Sequence, residues 1–186
     1  MIQNLLGIKC SAIVGIVLLS GSHLSAQVLN EEALLLQPTE LLNLGTTGAG
    51  SDAYIQQIGS NNDLQLFQQQ AGLEGNLARV LQSGDWNVAI IQQTESGNKL
   101  ALIQKGSKNY YELVGSGTGN ELVNIQDGID NRIIQQFINS NQISSELVQV
   151  GNSNEIIQIL ENVQGQNFTI RQTGNGMKVI VRQTGQ

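Results

Sequence analysis

The chain has 186 residues with 15 acidic and 9 basic side chains, a net charge of −6 and an isoelectric point near 4.6. Phosphate binding requires a net basic face, so a chain this acidic is not expected to take nucleic acid as a partner. With one histidine and one cysteine, it also offers little for nucleophilic or metal chemistry.

Residues 1–26 read as a secretory signal peptide. Lys9 precedes an apolar run, Ile13 to Leu19, and the small-residue exit LSAQ places cleavage after Ala26. That run is far shorter than the roughly 20 residues needed to span a bilayer, which argues against a membrane anchor. Cys10 stands at the start of the apolar stretch, the wrong place for a lipid-modified cysteine. The exported part, residues 27–186, then has no cysteine and no membrane span, and losing Lys9 leaves 8 basic minus 15 acidic residues, or −7. Residues 27–50, QVLNEEALLLQPTELLNLGTTGAG, lie outside any repeat and end in a glycine-rich run.

From residue 51 onward the chain is periodic. Asn76, Asn87, Asn98, Asn109, Asn120 and Asn131 recur at a spacing of eleven. Six residues after each stand Gln82, Gln93, Gln104, Gly115, Gln126 and Phe137, and glycine often follows two residues later, as at Gly84, Gly106 and Gly128. With short insertions at the turns, the frame extends upstream through Ser51 with Gln57 and Asn62 with Gln68. Downstream it continues through Ile143 with Gln149, Asn154 with Leu160, Gln166 with Gln172 and Met177 with Gln183. This gives twelve half-units, and Gly59, Gly151, Gly174 and Gly185 complete the expected set of turn glycines. Asn and Gln make up about a quarter of the exported residues, a composition typical of disordered, aggregation-prone tracts. Here, however, the amides fall in register with alternating apolar residues, which points to ordered strands.

In the unit NVAIIQQ, period-two alternation puts Asn87, Ala89, Ile91 and Gln93 on one face and Val88, Ile90 and Gln92 on the other. A strand of about seven residues plus a glycine turn accounts for the repeat, and glycines recurring so often rule against helix. Two half-units make a strand-turn-strand rung of 22 residues, and about six such rungs form an all-β solenoid, a cross-β stack with a rise of about 4.7 to 4.8 Å per rung. Inward amides then pair with their copies above and below, so that they are dry yet satisfied. The predicted ladder residues are Ser51, Gln57, Asn62, Gln68, Asn76, Gln82, Asn87, Gln93, Asn98, Gln104, Asn109, Asn120, Gln126, Asn131, Gln149, Asn154, Gln172 and Gln183.

SDAYIQQIG (51–59), NLARVLQSG (76–84), NVAIIQQ (87–93) and NKLALIQKG (98–106) resemble the curlin repeat, with Ser51, Ala53, Gln57, Asn76, Ala78, Gln82, Asn87, Ala89 and Gln93 on the family's inward positions. The resemblance covers about residues 51–186. It implies a secreted subunit of extracellular amyloid (curli) fibres on a Gram-negative bacterium, serving adhesion and biofilm matrix. It also implies a second curlin subunit and an outer-membrane export apparatus as partners. On this resemblance residues 27–50 direct export, while their leucines equally fit a short amphipathic helix docked on the stack, and both readings stay open. The chain departs from the pattern at Gly115, Phe137, Leu160 and Glu95, and it has a basic end with Arg171, Lys178 and Arg182 and no acid after Glu161. These departures look more like the minor, nucleating subunit than the main one.

Two other readings compete. Catalysis is not expected, because the one histidine, His23, leaves with the signal and the carboxylates Asp63, Glu74, Asp85, Asp127 and Asp130 fall at predicted turns. Neither cofactor nor metal is expected, since the GGxGxD calcium repeat is absent. The serious alternative is a secreted β-solenoid adhesin that never polymerises. Such a protein needs capped ends, whereas MKVIVRQTGQ runs to the chain end strongly β-prone. Trp86, Tyr110 and Tyr111 are candidate contacts for a surface or matrix ligand, against the plainer reading that they pack at corners.

Overall fold

Alternating apolar and polar residues broken by glycine every eleventh or so position dictate short strands, and short strands are what form. The computed structural model describes residues 17–20 and 50–185. Residues 1–16 and 21–26 of the expected signal, and residues 27–49 of the segment that follows, lie outside the described residues. Even-numbered strands β2 (Asp52–Ile58), β4 (Leu77–Asp85), β6 (Lys99–Ser107), β8 (Glu121–Ile129), β10 (Ser144–Asn152) and β12 (Asn167–Thr173) form one parallel sheet. Odd-numbered strands β3 (Asp63–Gln69), β5 (Val88–Thr94), β7 (Tyr110–Gly115), β9 (Arg132–Ile138), β11 (Glu155–Glu161) and β13 (Lys178–Thr184) form the other. A short strand, β1 (Val17–Ser20), lies parallel to β3 at the edge of the odd sheet.

The result is the expected all-β solenoid. Each rung is one even and one odd strand, and identical columns are in register: Gln82 lies beside Gln104, Gln104 beside Gln126 and Gln126 beside Gln149. Between the sheets sits a single apolar core that includes Ala78, Val80, Ala89, Ile91, Leu100 and Leu102. Outward-facing Gln92 is exposed.

The 22-residue period needs one correction. Hydrogen-bonded equivalents are 25 residues apart across the first step, 22 across the next two and 23 across the last two. Half-units starting on even strands always span eleven residues, so every extra residue falls at the corner after an odd strand, as in the long turn between Gln69 and Asn76.

A column of glycines explains why the other corner is invariant. Gly59, Gly84, Gly106, Gly128 and Gly151 all have positive φ, and a Cβ added at Gly106 would lie 2.1 Å from the carbonyl oxygen of Gly128. The backbones of successive rungs touch here, so only glycine fits and an added residue would have nowhere to go. Gly174 continues the column at the last rung, but Gly185 does not belong to it. It follows an odd strand and abuts Asn162 in the opposite corner, its φ outside the left-handed region.

Gly106→Ala should therefore destabilise the freshly dissolved monomer by about 3 kcal/mol or more, adding a steric clash to an unfavourable φ. Gly165→Ala, at a positive φ with nothing near the added Cβ, should cost only about 1 to 2 kcal/mol. Urea unfolding of the two variants measures the difference.

Candidate functional site: amide columns along the stack

The asparagines that open each odd half-unit line up as Asn62, Asn87, Asn109, Asn131 and Asn154, and four of these five are almost completely buried. In the first four, Oδ1 accepts twice from the next asparagine, and Asn154 Oδ1 accepts from the backbone N–H of Met177. For Asn87 the donors are the backbone N–H of Asn109 at 3.2 Å and its side-chain Nδ2 at 3.0 Å. Each Nδ2 also donates to a glycine carbonyl of the following rung: Asn87 to Gly106, Asn109 to Gly128 and Asn131 to Gly151. The asparagine and glycine columns are thus bonded to one another, and each explains the position of the other. In the even half-units Asn76, Asn98 and Asn120 repeat the arrangement. Ser51 starts that column by accepting from the backbone of Asn76, and Ile143 ends it by donating its N–H to Asn120.

The glutamines form a continuous ladder only in the even sheet. Gln57 donates to Gln82, Gln82 to Gln104, Gln104 to Gln126, Gln126 to Gln149 and Gln149 to Gln172, with distances of 2.6 to 3.1 Å. Gln104 Nε2 also reaches the carbonyls of Val88 and Asn109, so a single side chain ties two strands and a turn together.

In the odd sheet the ladder begins with Gln68 donating to Gln93 at 2.9 Å and then stops at Gly115, leaving Gln93 Nε2 buried without an acceptor among the described residues. The positions of Phe137 and Leu160 are filled by those side chains, both buried. The amide has moved two residues earlier: Gln135 donates to Gln158 at 2.8 Å. Tyr111 anchors this displaced pair, giving its hydroxyl proton to Gln135 and accepting from Asn124 of the even sheet, while Ser145 bonds Gln158. The sequence reading missed Gln135 and Gln158, although a glutamine two residues before each apolar replacement was visible. Gln183, assigned to the ladder, lies opposite Leu160, so the facing position on the rung before it holds no amide.

Other expectations change as well. Tyr111 is fully buried and is no surface aromatic, and its burial pushes the phenol well above its ordinary value. Tyr110 stacks under Arg132 at 5.3 Å, whereas Trp86 is largely exposed at its corner. The basic end is partly neutralised by the rung before it, since Arg171 pairs with Glu146 and Lys178 with Glu155. Among the described residues no cluster of three or more potential ligands assembles for a metal, and no helix is long and apolar enough to cross a membrane.

Residues 74–106, which run from the corner before β4 to the glycine of β6, match the family model for the curlin associated repeat. No curated protein and no solved structure matches the chain. The matched stretch is where both amide columns are regular, holding Asn76, Asn87 and Asn98 with Gln82, Gln93 and Gln104. It stops before the part of the odd sheet in which the glutamine shifts.

Gln104→Ala should cost about 1 to 3 kcal/mol, because it leaves Gln82 and Gln126 each short of a partner in a dry core. Exposed Gln92→Ala should stay within about 0.5 kcal/mol, and Gln93→Ala, which breaks a single bond, should fall between. Denaturant titration of the three variants checks the order. A second prediction concerns pH. The folded state holds Tyr111 neutral beyond the range where an unfolded tyrosine ionises, so stability is fully present below about pH 10 and is lost as pH rises above it. Tyr111→Phe should lower stability at neutral pH and flatten that alkaline decline.

Proposed function

We propose that the chain is a secreted structural subunit of an extracellular curli-type amyloid fibre, used for adhesion and biofilm matrix by a Gram-negative bacterium. In this reading residues 1–26 are removed as a signal, residues 27–50 serve export, and residues 51–186 build the fibre together with a second curlin subunit. The observation that carries it is the last rung of the described stack. The inward residues Phe168, Ile170, Val179 and Val181 of the last rung are only half-buried, although Leu147 and Ile156 one rung earlier are fully enclosed. A capped solenoid adhesin would cover that end, whereas among the described residues no strand pairs with the outer sides of β12 and β13, which stand in register for another chain. Stacked head to tail, a second copy brings its Gln57 next to Gln172 and its Gln68 next to Gln183, so that Gln183 gains between molecules the amide partner it lacks within one. The interrupted odd-sheet ladder supports the minor, nucleating role over that of main subunit, and of the basic end only Arg182 is left without an ion pair among the described residues.

Oriented fibres of the exported chain should diffract near 4.7 to 4.8 Å along the axis and near 10 Å across it. Gln183→Ala should lengthen the thioflavin lag severalfold while leaving monomer stability within about 0.5 kcal/mol. In the same assay, intact seeds at substoichiometric amounts should shorten the lag of a more regular curlin. A chain that stays monomeric for days at high concentration defeats the proposal.

A further inference from the structure

The first and last rungs carry opposite charge. Residues 51–69 hold two acids, Asp52 and Asp63, and no base, whereas residues 166–184 hold Arg171, Lys178 and Arg182 and no acid. Because each rung is in register with the next, the columns say which residues meet when a second copy continues the stack. One column on the outer face of the odd sheet runs from Asp63 through Arg132 and Glu155 to Lys178, so the residue that follows Lys178 in it is Asp63 of the second copy. Another starts at Phe67 and ends at Arg182, which arrives beside the phenylalanine ring of the second copy. Outer-face neighbours one rung apart do engage within the chain. Lys99 Nζ lies 3.1 Å from Glu121, Lys178 pairs with Glu155, and the Arg132 guanidinium stands 5.3 Å from the centre of the Tyr110 ring. Neither Asp63 nor Arg182 has an ion pair among the described residues.

We infer that the joint between copies is selected by charge: the basic last rung of one copy takes the acidic first rung of another, Lys178 lying between its own Glu155 and Asp63 of the second copy, and Arg182 against Phe67 of the second copy. This rests on the fibre reading, because β1, within the proposed signal, pairs with the outer side of β3 in the full chain, and the joint needs that side. Lysine has three donors and can serve both carboxylates. A guanidinium held near an aromatic ring is attracted by the ring's electron-rich face. Joining like ends instead sets two acids against two, or three bases against three, so charge opposes both of those arrangements. The pairing also works against the charge of the whole. With 8 basic and 15 acidic residues, exported copies at −7 repel one another, and only the opposite ends supply the local attraction that orients an encounter. The partner that fits the last rung is therefore a second copy of this chain, and each copy added there presents a new basic rung to the next.

Charge reversals in the exported chain, read by seeded elongation in thioflavin, test this. Asp63→Lys changes the net charge from −7 to −5 and would speed assembly were overall repulsion the only term. Here it sets lysine against Lys178, and elongation at low salt should slow at least about threefold. The isosteric Asp63→Asn should slow it about twofold. Asp127→Lys, the same change of charge on a middle rung, should leave the rate unchanged or raise it. Lys178→Glu should be slow on its own, yet an equimolar mixture of Lys178→Glu and Asp63→Lys chains at the same total concentration should return to within about twofold of the unaltered rate, because each variant offers the charge that the other lacks. Asp63→Lys and Asp63→Asn chains that elongate as fast as Asp127→Lys, or a mixture no faster than either variant alone, overturn the inference and leave the fibre reading in place. An exported chain that forms no fibre overturns both.

Discussion

Everything in this fold depends on keeping buried amides paired. An unpaired amide in a dry core costs about 1 to 3 kcal/mol, whereas a paired one contributes perhaps 0.5 to 1.5, so a stack carrying many of them is held to a single register. A slip of one residue would also turn each apolar set outward. The asparagine columns do the strictest part, because wherever asparagine follows asparagine the Oδ1 takes both a side-chain and a backbone donor from the next rung. The parallel arrangement follows from this requirement, since only parallel rungs place like on like.

Where the pairing lapses, the chain compensates locally. Gly115 removes the amide from β7, and the neighbouring rung answers with Phe137 in the vacated space and Gln135 two residues earlier. Tyr111 is both large enough to fill that core and polar enough to start the new pair. The substitution is concerted across both sheets, for Asn124 and Ser145 come from the even strands. A polar network of this kind is stable only when its members come together.

Much of the fold was legible because a period of two and a spacing of eleven are geometric statements. The asparagine spacing fixed the strand starts, and Ala89 and Ile91 announced the buried face. The shift of the glutamine was not legible for a related reason: Gln135 and Phe137 lie on the same face, and alternation cannot say which inward site holds the amide. The acids that neutralise Arg171 and Lys178 sit one rung back, distant in sequence and adjacent only once the rungs stack.

Because all length variation falls after odd strands, the two long edges of this flattened stack are unequal. One carries an uninterrupted column of positive-φ glycines, rung against rung, with no added residue. The other accepts three extra residues at the first rung, none at the next two and one at each of the two after those, without disturbing the columns. Added sequence is therefore confined to a single side of the particle, as a row of loops repeating about every 4.8 Å. A decorated array of this type would be one-sided by construction, with its spacing set by the backbone and its chemistry left free.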